Sequence, residues 1–254
     1  MRSWVVEELT EAGQMAWAER PDPVPEPGGY VIRVEAAGVN FADTLMMRGR
    51  YQRKPDLPFV PGIEVAGTIV SAESGAALPI GARVCASLST GGFAELAAVS
   101  GAAATPIPND VPADVALVPP RVNYPTSWYA LHNRARIRAG ETVLVHAGAG
   151  GVGSAAIQIA VIEGCRVIAT AGSDDKLLLK EGAALGVYWG EAKKRNPALA
   201  AEVRDALLDR YRAGCLDPLI GGRFPLSQAG TAVAELAARR TVGKILLTPD
   251  PLGH

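Results

Sequence analysis

The chain has 254 residues, enough for one large domain or two modest ones. Its 48% hydrophobic and 20% charged residues are the balance of a globular protein, not of a disordered one. With 25 basic against 26 acidic residues the net charge is −1, which excludes a composition-level case for binding nucleic acid or an anionic membrane surface. No apolar run reaches the roughly 18 residues of a membrane span. Glu7 and Glu8 stand where a secretory leader would be apolar, so no signal peptide and a cytoplasmic location are expected. Cys85, Cys165 and Cys215 are far apart and make neither a disulfide framework nor a CxxC knuckle; buried small hydrophobes in a reducing compartment are expected.

From residue 1 to about 115, β-rich runs at 30–34, 66–70, 83–86 and 93–99 alternate with the turn pairs Gly28-Gly29, Pro61-Gly62, Ser74-Gly75 and Gly91-Gly92. Period-2 apolar runs at that spacing predict an all-β, barrel-like unit. From about 119 the pattern changes. Residues 124–136 predict a helix, closed by Ala139-Gly140, and 142–146 predict a short buried strand. A glycine turn then runs into an apolar-faced helix over 148–163, with Gly164 as its C-cap, and 165–170 predict a second buried strand. Strand, glycine turn, helix and strand make one βαβ unit, which implies a parallel sheet. Farther on, 184–189 predict a strand. Asn196-Pro197 caps a helix with Leu199, Val203, Leu207 and Tyr211 on one face, closed by Gly214. Ser227 is the expected cap of a last helix through Val233 and Leu236, ending near Gly243.

The βαβ unit carries the sharpest motif. Gly148, Gly150 and Gly153 form GxGxxG with Ala149, Gly151 and Val152 between them, after a strand and opening a helix. The first glycine makes the tight turn, the second lets backbone approach a pyrophosphate, and the third lets helix and strand pack closely. The helix N-terminus then presents N–H groups and a positive dipole end to phosphate. Binders of NAD place an acid about 20 residues on, for the ribose 2′-hydroxyl. The window 169–173 holds none. Ser173 and Lys176 would accept a 2′-phosphate, whereas Asp174 and Asp175 argue the other way; NADPH is expected in preference to NADH. His146, at the end of the first strand, is expected in a packing or turn role.

Taken together, 34–43 (VEAAGVNFAD), 61–67 (PGIEVAG), 124–131 (YPTSWYAL), the glycine segment, 186–190 (GVYWG) and the tail from 223 to 247 resemble the zinc-free medium-chain dehydrogenases/reductases of the quinone oxidoreductase branch. The resemblance implies an α/β plus β fold. A GroES-like β-barrel domain is built from 1–118 and 219–254, with a Rossmann-type nucleotide-binding domain, 119–218, inserted. It implies hydride transfer from NADPH to a quinone or a conjugated enone, and a homo-oligomer paired through the 184–189 edge. It also implies no zinc, because Asn40 and Ile63 stand where zinc-dependent relatives carry Cys and His, and 86–100 lacks their clustered cysteines. On the same grounds Asn40 and Tyr51 line the substrate side and Thr126 lies near the nicotinamide. The residues alone also allow Asn40 and Thr126 as helix caps and Tyr51 as a loop anchor. Some relatives carry a further Tyr where Leu45 stands, and Met46 and Met47 are either a greasy pocket wall or core.

One departure from the family pattern is large. A doubly wound domain needs two halves of about three strands each. Here 173–176 match the start of the helix after the second strand, and 177–180 match the stretch before the last one. The join near 176–177 therefore reads as an internal deletion of about 75 residues, about half of such a domain. It removes loops that hold the nicotinamide, so impaired activity is expected. The alternative is a non-catalytic relative that binds nucleotide weakly or serves as an oligomer partner.

Overall fold

The computed structural model describes residues 1–109, 111–119, 121–170 and 189–251. In chain order the strands are β1 (Arg2–Val5), β2 (Ala16–Glu19), β3 (Tyr30–Val39), β4 (Glu64–Ala72), β5 (Arg83–Ser87), β6 (Leu96–Val99), β7 (Ala104–Pro106), β8 (Thr142–Val145), β9 (Arg166–Ala169), β10 (Ile220–Pro225) and β11 (Lys244–Thr248). The α-helices are α1 (Phe41–Met47), α2 (Ala113–Leu117), α3 (Asn123–Trp128), α4 (Gly151–Ile162), α5 (Trp189–Arg195), α6 (Pro197–Arg212) and α7 (Ala229–Ala237). They divide into two compact units, Met1–Leu117 with Ile220–His254, and Val118–Leu219.

In the first unit the apolar alternation predicted at 30–34 continues to Val39, and β3 becomes the spine of a seven-stranded sheet ordered β10-β11-β3-β4-β5-β7, with β6 also on β3. Its first half pairs with β6, as in Tyr30 with Val99; its second half pairs with β11, as in Val39 with Ile245. Gly67 permits the β3–β4 pairing, because a Cβ there would stand 1.9 Å from the Arg33 carbonyl oxygen. Among the described residues no pairing joins β10 to β7. The unit is thus an open sheet with the β1–β2 pair bridged onto it at Ser3–Ala94 and Val6–Phe59, not a closed ring of strands. Tyr30, Ile32, Ile69, Phe93 and Leu247 fill one core beneath it. Met46 and Met47 belong to that core, which decides between the two roles expected for them.

The ends of α7 differ from expectation. Ser227 lies in a 3-10 turn, and its hydroxyl donates to Asp250 instead of capping. The helix starts at Ala229 and stops at Ala237, with Arg239 in the left-handed region at φ 59°, six residues short of Gly243. A contact 23 residues away in sequence recruits the hydroxyl, which local capping rules cannot anticipate.

In the second unit β8 and β9 run parallel, Thr142 opposite Arg166 and Val145 opposite Ala169, and α4 connects them. Both strands were expected to be buried. Instead Arg166, Ile168 and Ala169 are exposed, Ile168 at 39%. Among the described residues these two strands are a sheet by themselves, so β9 has a paired edge on one side only. The helix expected over 124–136 is α3 followed by a π-helical turn, Tyr129–Ala135, that ends on Arg136 at φ 56°. The α6 cap is as expected: Asn196 Oδ1 accepts from the Leu199 N–H at 3.0 Å, Pro197 opens the helix, and Val203 and Leu207 are buried. Cys85 and Cys165 are buried, but Cys215 is exposed. Of the expected strand 184–189, residues 184–188 lie outside the described residues, as does the join at 176–177. Trp189 is helical, opening α5.

Candidate functional site

The glycine segment forms a turn between β8 and α4 that locks onto the end of β9. The Gly148 N–H donates to the Thr170 carbonyl at 2.7 Å, and the Thr170 N–H donates to the Val145 carbonyl at 2.9 Å. Ala147 sits in the left-handed region at φ 53°, an uncommon conformation for a residue with a Cβ. The three motif glycines are not equivalent. A Cβ on Gly148 would stand 2.9 Å from Ala169 Cβ, and one on Gly153 would stand 2.2 Å from the Ala147 carbonyl oxygen. Among the described residues, a Cβ on Gly150 would meet only the Ala147 oxygen, at 3.4 Å. The first and third glycines are therefore needed by the chain's own packing, whereas among the described residues the second has room for a Cβ.

Gly150 is the N-cap of α4, with φ −78° and ψ 168°, and among the described residues no side chain caps this helix end. The early N–H groups of a helix have no intrahelical acceptor, and the dipole puts partial positive charge on them. The Gly150 N–H is taken by the Ala147 carbonyl at 2.9 Å, so the N–H groups of Gly151 and Val152 carry the partly positive face; Ala149, Gly150 and Gly151 are half-buried and Val152 is exposed. The arrangement suits a phosphate or pyrophosphate. His146 is exposed and its Nδ1 lies 3.2 Å from the Thr170 hydroxyl, so it tethers the two strand ends and is not packed inside. Ser173 and Lys176 lie outside the described residues.

The helix carrying Thr126 is fastened to α4. The Ser127 hydroxyl donates to the Val152 carbonyl at 2.8 Å, and the Tyr124 hydroxyl donates to Gln158 Oε1 at 3.1 Å. Burial pushes the Tyr124 phenol up, so it stays a neutral donor. Thr126 is not a cap: it lies inside α3, half-buried, and its hydroxyl donates to the Val122 carbonyl. Beyond it, Trp128 is stacked on His132 at 4.0 Å, and the Arg210 guanidinium lies 4.4 Å from the Trp128 ring centre. Arg210 also pairs with Glu163 at 2.9 Å. Burial holds the His132 imidazole below its usual pKa despite the pull of Glu163. The group is a cation–aromatic clamp that ties α6 to the π-helical turn.

In the first unit Asn40 is 5% exposed and sits in a polar cluster that sequence reasoning did not find. Its Nδ2 donates to Glu64 Oε1 at 2.9 Å, and its Oδ1 accepts from Lys244 Nζ at 2.7 Å. Lys244 also pairs with Glu64, and both are nearly inaccessible, at 3% and 1%. Asp43 Oδ2 accepts from the Asn40 N–H at 2.8 Å, and its other oxygen accepts from the Gly62 N–H at 3.3 Å. Burial raises the Asp43 carboxyl to about 7, against the lowering effect of those N–H groups and Lys244. Gly38 makes the room: a Cβ there would be 2.1 Å from Glu64 Oε1. The signal was available, since Glu64 and Lys244 interrupt apolar strands where an unpaired charge could not stay. Tyr51 is half-buried and packs against the core, as a loop anchor would.

Asn40 and Tyr51 belong to the first unit, and Thr126 and the glycine turn to the second. Among the described residues no three His, Cys, Asp or Glu side chains gather as a metal-binding group. Nor is any described helix long and apolar enough to cross a membrane.

Comparison with known proteins agrees with this geometry. Residues 26–109 match the alcohol dehydrogenase GroES-like domain family. Over 167 residues the chain is 44% identical to quinone oxidoreductase of Rattus norvegicus, an overlap of 63% of this chain and 50% of that protein. The chain therefore spans about half the length of that curated relative. Quinone oxidoreductase-like protein 2 of the same organism is 29% identical across 90% of this chain and 87% of its own length. That alignment runs over 307 positions against a chain of 254, so it opens a gap in this chain. Among solved structures, the quinone oxidoreductase from Thermus thermophilus, determined alone and with NADPH, is 30% identical with a TM-score of 0.82. The superposition covers 98% of this chain and 100% of that one.

Proposed function

As the chain belongs to the quinone oxidoreductase branch of the medium-chain dehydrogenase/reductase family, we propose that it is an NADPH-dependent oxidoreductase acting on a quinone or a conjugated enone without a metal. The observation that carries the reading is the asymmetry of the glycine turn: Gly148 and Gly153 are closed by their own chain, whereas Gly150 opens a helix end that no described side chain caps. The second unit is the nucleotide-binding domain and the first the substrate domain. Bound NADPH supplies the hydride, which is the cofactor's own chemistry.

The chain's residues then have separate tasks. The N–H groups of Gly151, Val152 and Gly153 hold the pyrophosphate, Gly150, whose own N–H is taken by the Ala147 carbonyl, lets it approach, and Ala149 shapes the turn. Ser173 and Lys176 are assigned to the 2′-phosphate on the sequence argument. Thr126 is assigned to the nicotinamide side, on a helix held in place by Ser127 and Tyr124. On the substrate side, Asn40 is a fixed wall group whose amide is already committed to Glu64 and Lys244. Tyr51 supplies the neighbouring surface. The metal-free reading rests on the side chains at positions 40 and 63, since neither an amide nor an isoleucine replaces a thiolate or an imidazole as a zinc ligand. On the sequence argument the stretch at 184–189, whose Trp189 opens α5, is our candidate for self-association, which sedimentation velocity would test.

The gap in the alignment fits the deletion that the sequence argument places near 176–177, from which we expect weakened turnover. It equally favours a second reading, a relative that binds nucleotide without catalysis. Titration of NADPH, NADH and 2′-phospho-ADP-ribose, beside benzoquinone-dependent oxidation of NADPH, separates them. Our reading expects NADPH to bind at least about tenfold more tightly than NADH. The adenine-end fragment should bind almost as well as whole NADPH, and oxidation should be slow but measurable. Binding without any oxidation leaves the second reading. Binding of neither nucleotide contradicts both.

A further inference from the structure

The proposed function leaves His146 without a task, although it stands beside the glycine turn. It lies exposed at the carboxyl end of β8, with Thr170 half-buried at the matching end of β9. Its Nδ1 is 3.2 Å from the Thr170 hydroxyl, and it has no other side-chain partner among the described residues. As a tether that contact is redundant. The Thr170 N–H already donates to the Val145 carbonyl at 2.9 Å, and the Thr170 carbonyl accepts from the Gly148 N–H at 2.7 Å. These two backbone bonds also fix the Thr170 hydroxyl relative to the glycine turn. Ala147, at φ 53°, bends the chain between His146 and Gly148, and the imidazole is left in solvent at the strand end.

Open parallel sheets bind ligands beyond the carboxyl ends of their strands, and a dinucleotide sets its adenosine ribose against the end of the second one. Thr170 is 20 residues beyond Gly150, the spacing at which an NAD-binding domain carries its ribose-binding acid. Here a hydroxyl and an imidazole stand together instead. We propose that His146, oriented by the Thr170 hydroxyl, is a specificity-determining residue that contacts the 2′-phosphate of NADPH; the proposal rests on the nucleotide reading of the glycine turn. A neutral imidazole takes the hydroxyl hydrogen at Nδ1 and keeps its own on Nε2. A charged one donates from both nitrogens and frees the hydroxyl hydrogen. Either way the pair retains a donor for a bound oxygen, and such a bond is stronger to a charged phosphate than to a neutral ribose hydroxyl.

Calorimetric titration with 2′-phospho-ADP-ribose and with ADP-ribose tests it, because the two differ only in that phosphate. The unaltered chain should bind the first at least about tenfold more tightly. His146→Leu should weaken 2′-phospho-ADP-ribose about tenfold and leave ADP-ribose within about twofold, since only the phosphate loses a charge-assisted contact. Thr170→Val, which removes the orienting hydroxyl, should lower the preference about threefold. An undiminished preference in His146→Leu overturns the inference, as does an equal loss of both ligands, which is what a structural tether would give. Equal binding of the two ligands by the unaltered chain also overturns it while sparing the nucleotide reading. Binding of neither contradicts that reading itself and the inference with it. Should circular dichroism show His146→Leu unfolded, Thr170→Val decides: an unchanged preference overturns the inference, and a reduced one upholds it.

Discussion

Glycine does opposite work in the two units. In the first, Gly38 and Gly67 are spaces the chain fills itself, one with the Glu64 carboxylate and the other with the Arg33 carbonyl. In the second, a Cβ on Gly150 would meet, among the described residues, only the Ala147 carbonyl oxygen at 3.4 Å, at a helix end that no described side chain caps. In the first unit the polar cluster of Asn40, Asp43, Glu64 and Lys244 is closed among its own residues. In the second, among the described residues, the N–H groups at the start of α4 meet no side-chain cap. A binding surface is where a fold stops satisfying its own groups, and the comparison shows where that happens here.

The largest effect should come from closing a space the first unit already uses. Gly67→Ala puts a methyl group into the Arg33 backbone with no flexible side chain to yield, and should cost about 4 kcal/mol or more. Chemical denaturation read by near-ultraviolet circular dichroism would measure it. A loss below about 1 kcal/mol would mean that β3 and β4 separate more easily than their pairing implies.

Next in size is Lys244→Met. It strands the Glu64 carboxylate at 1% exposure and should cost about 3–5 kcal/mol. Glu64→Leu combined with Lys244→Met should cost much less than the single change, because the uncompensated charge is gone. A double variant worse than the single one would show that the pair contributes more than its own neutralisation.

Asp43 makes the same interior sensitive to pH. Its carboxyl is raised by burial to about 7 in the folded chain, whereas an unfolded aspartate titrates near about 4. The folded state therefore holds more protons across that window. Stability from this group is full below about pH 4, declines as pH rises, and is lost above about 7. Asp43→Asn should flatten the profile between those values in thermal melts. An unchanged slope would place the titration elsewhere.

Legibility in the sequence followed the range of the interactions. The turn at Gly148 to Gly153, the Asn196-Pro197 cap and the β-runs of the first unit rest on neighbours a few residues apart, and they were readable. The buried cluster joins Lys244 to Asn40 across 204 residues and to Glu64 across 180, beyond any local pattern. Ser227 misled for the same reason, its partner Asp250 being outside the capping window. Strand burial at β8 and β9 was overestimated because apolar composition reports what a strand could bury, not what lies beside it. Helix capping by Thr126 failed because the helix begins one turn earlier, at Asn123.

The central claim, that the open face at Gly150 is where nucleotide phosphate binds, is tested most directly by Gly150→Val. The backbone there, φ −78° and ψ 168°, accepts a branched residue, and among the described residues the added Cβ meets nothing closer than 3.4 Å, so the second unit should stay folded. NADPH fluorescence titration of this variant beside the unaltered chain is the measurement. Losing backbone bonds to a charged pyrophosphate, at about 1.5–3 kcal/mol each, should weaken NADPH by about a hundredfold or more with the circular dichroism spectrum unchanged. Undiminished NADPH affinity in a folded Gly150→Val chain would contradict the account.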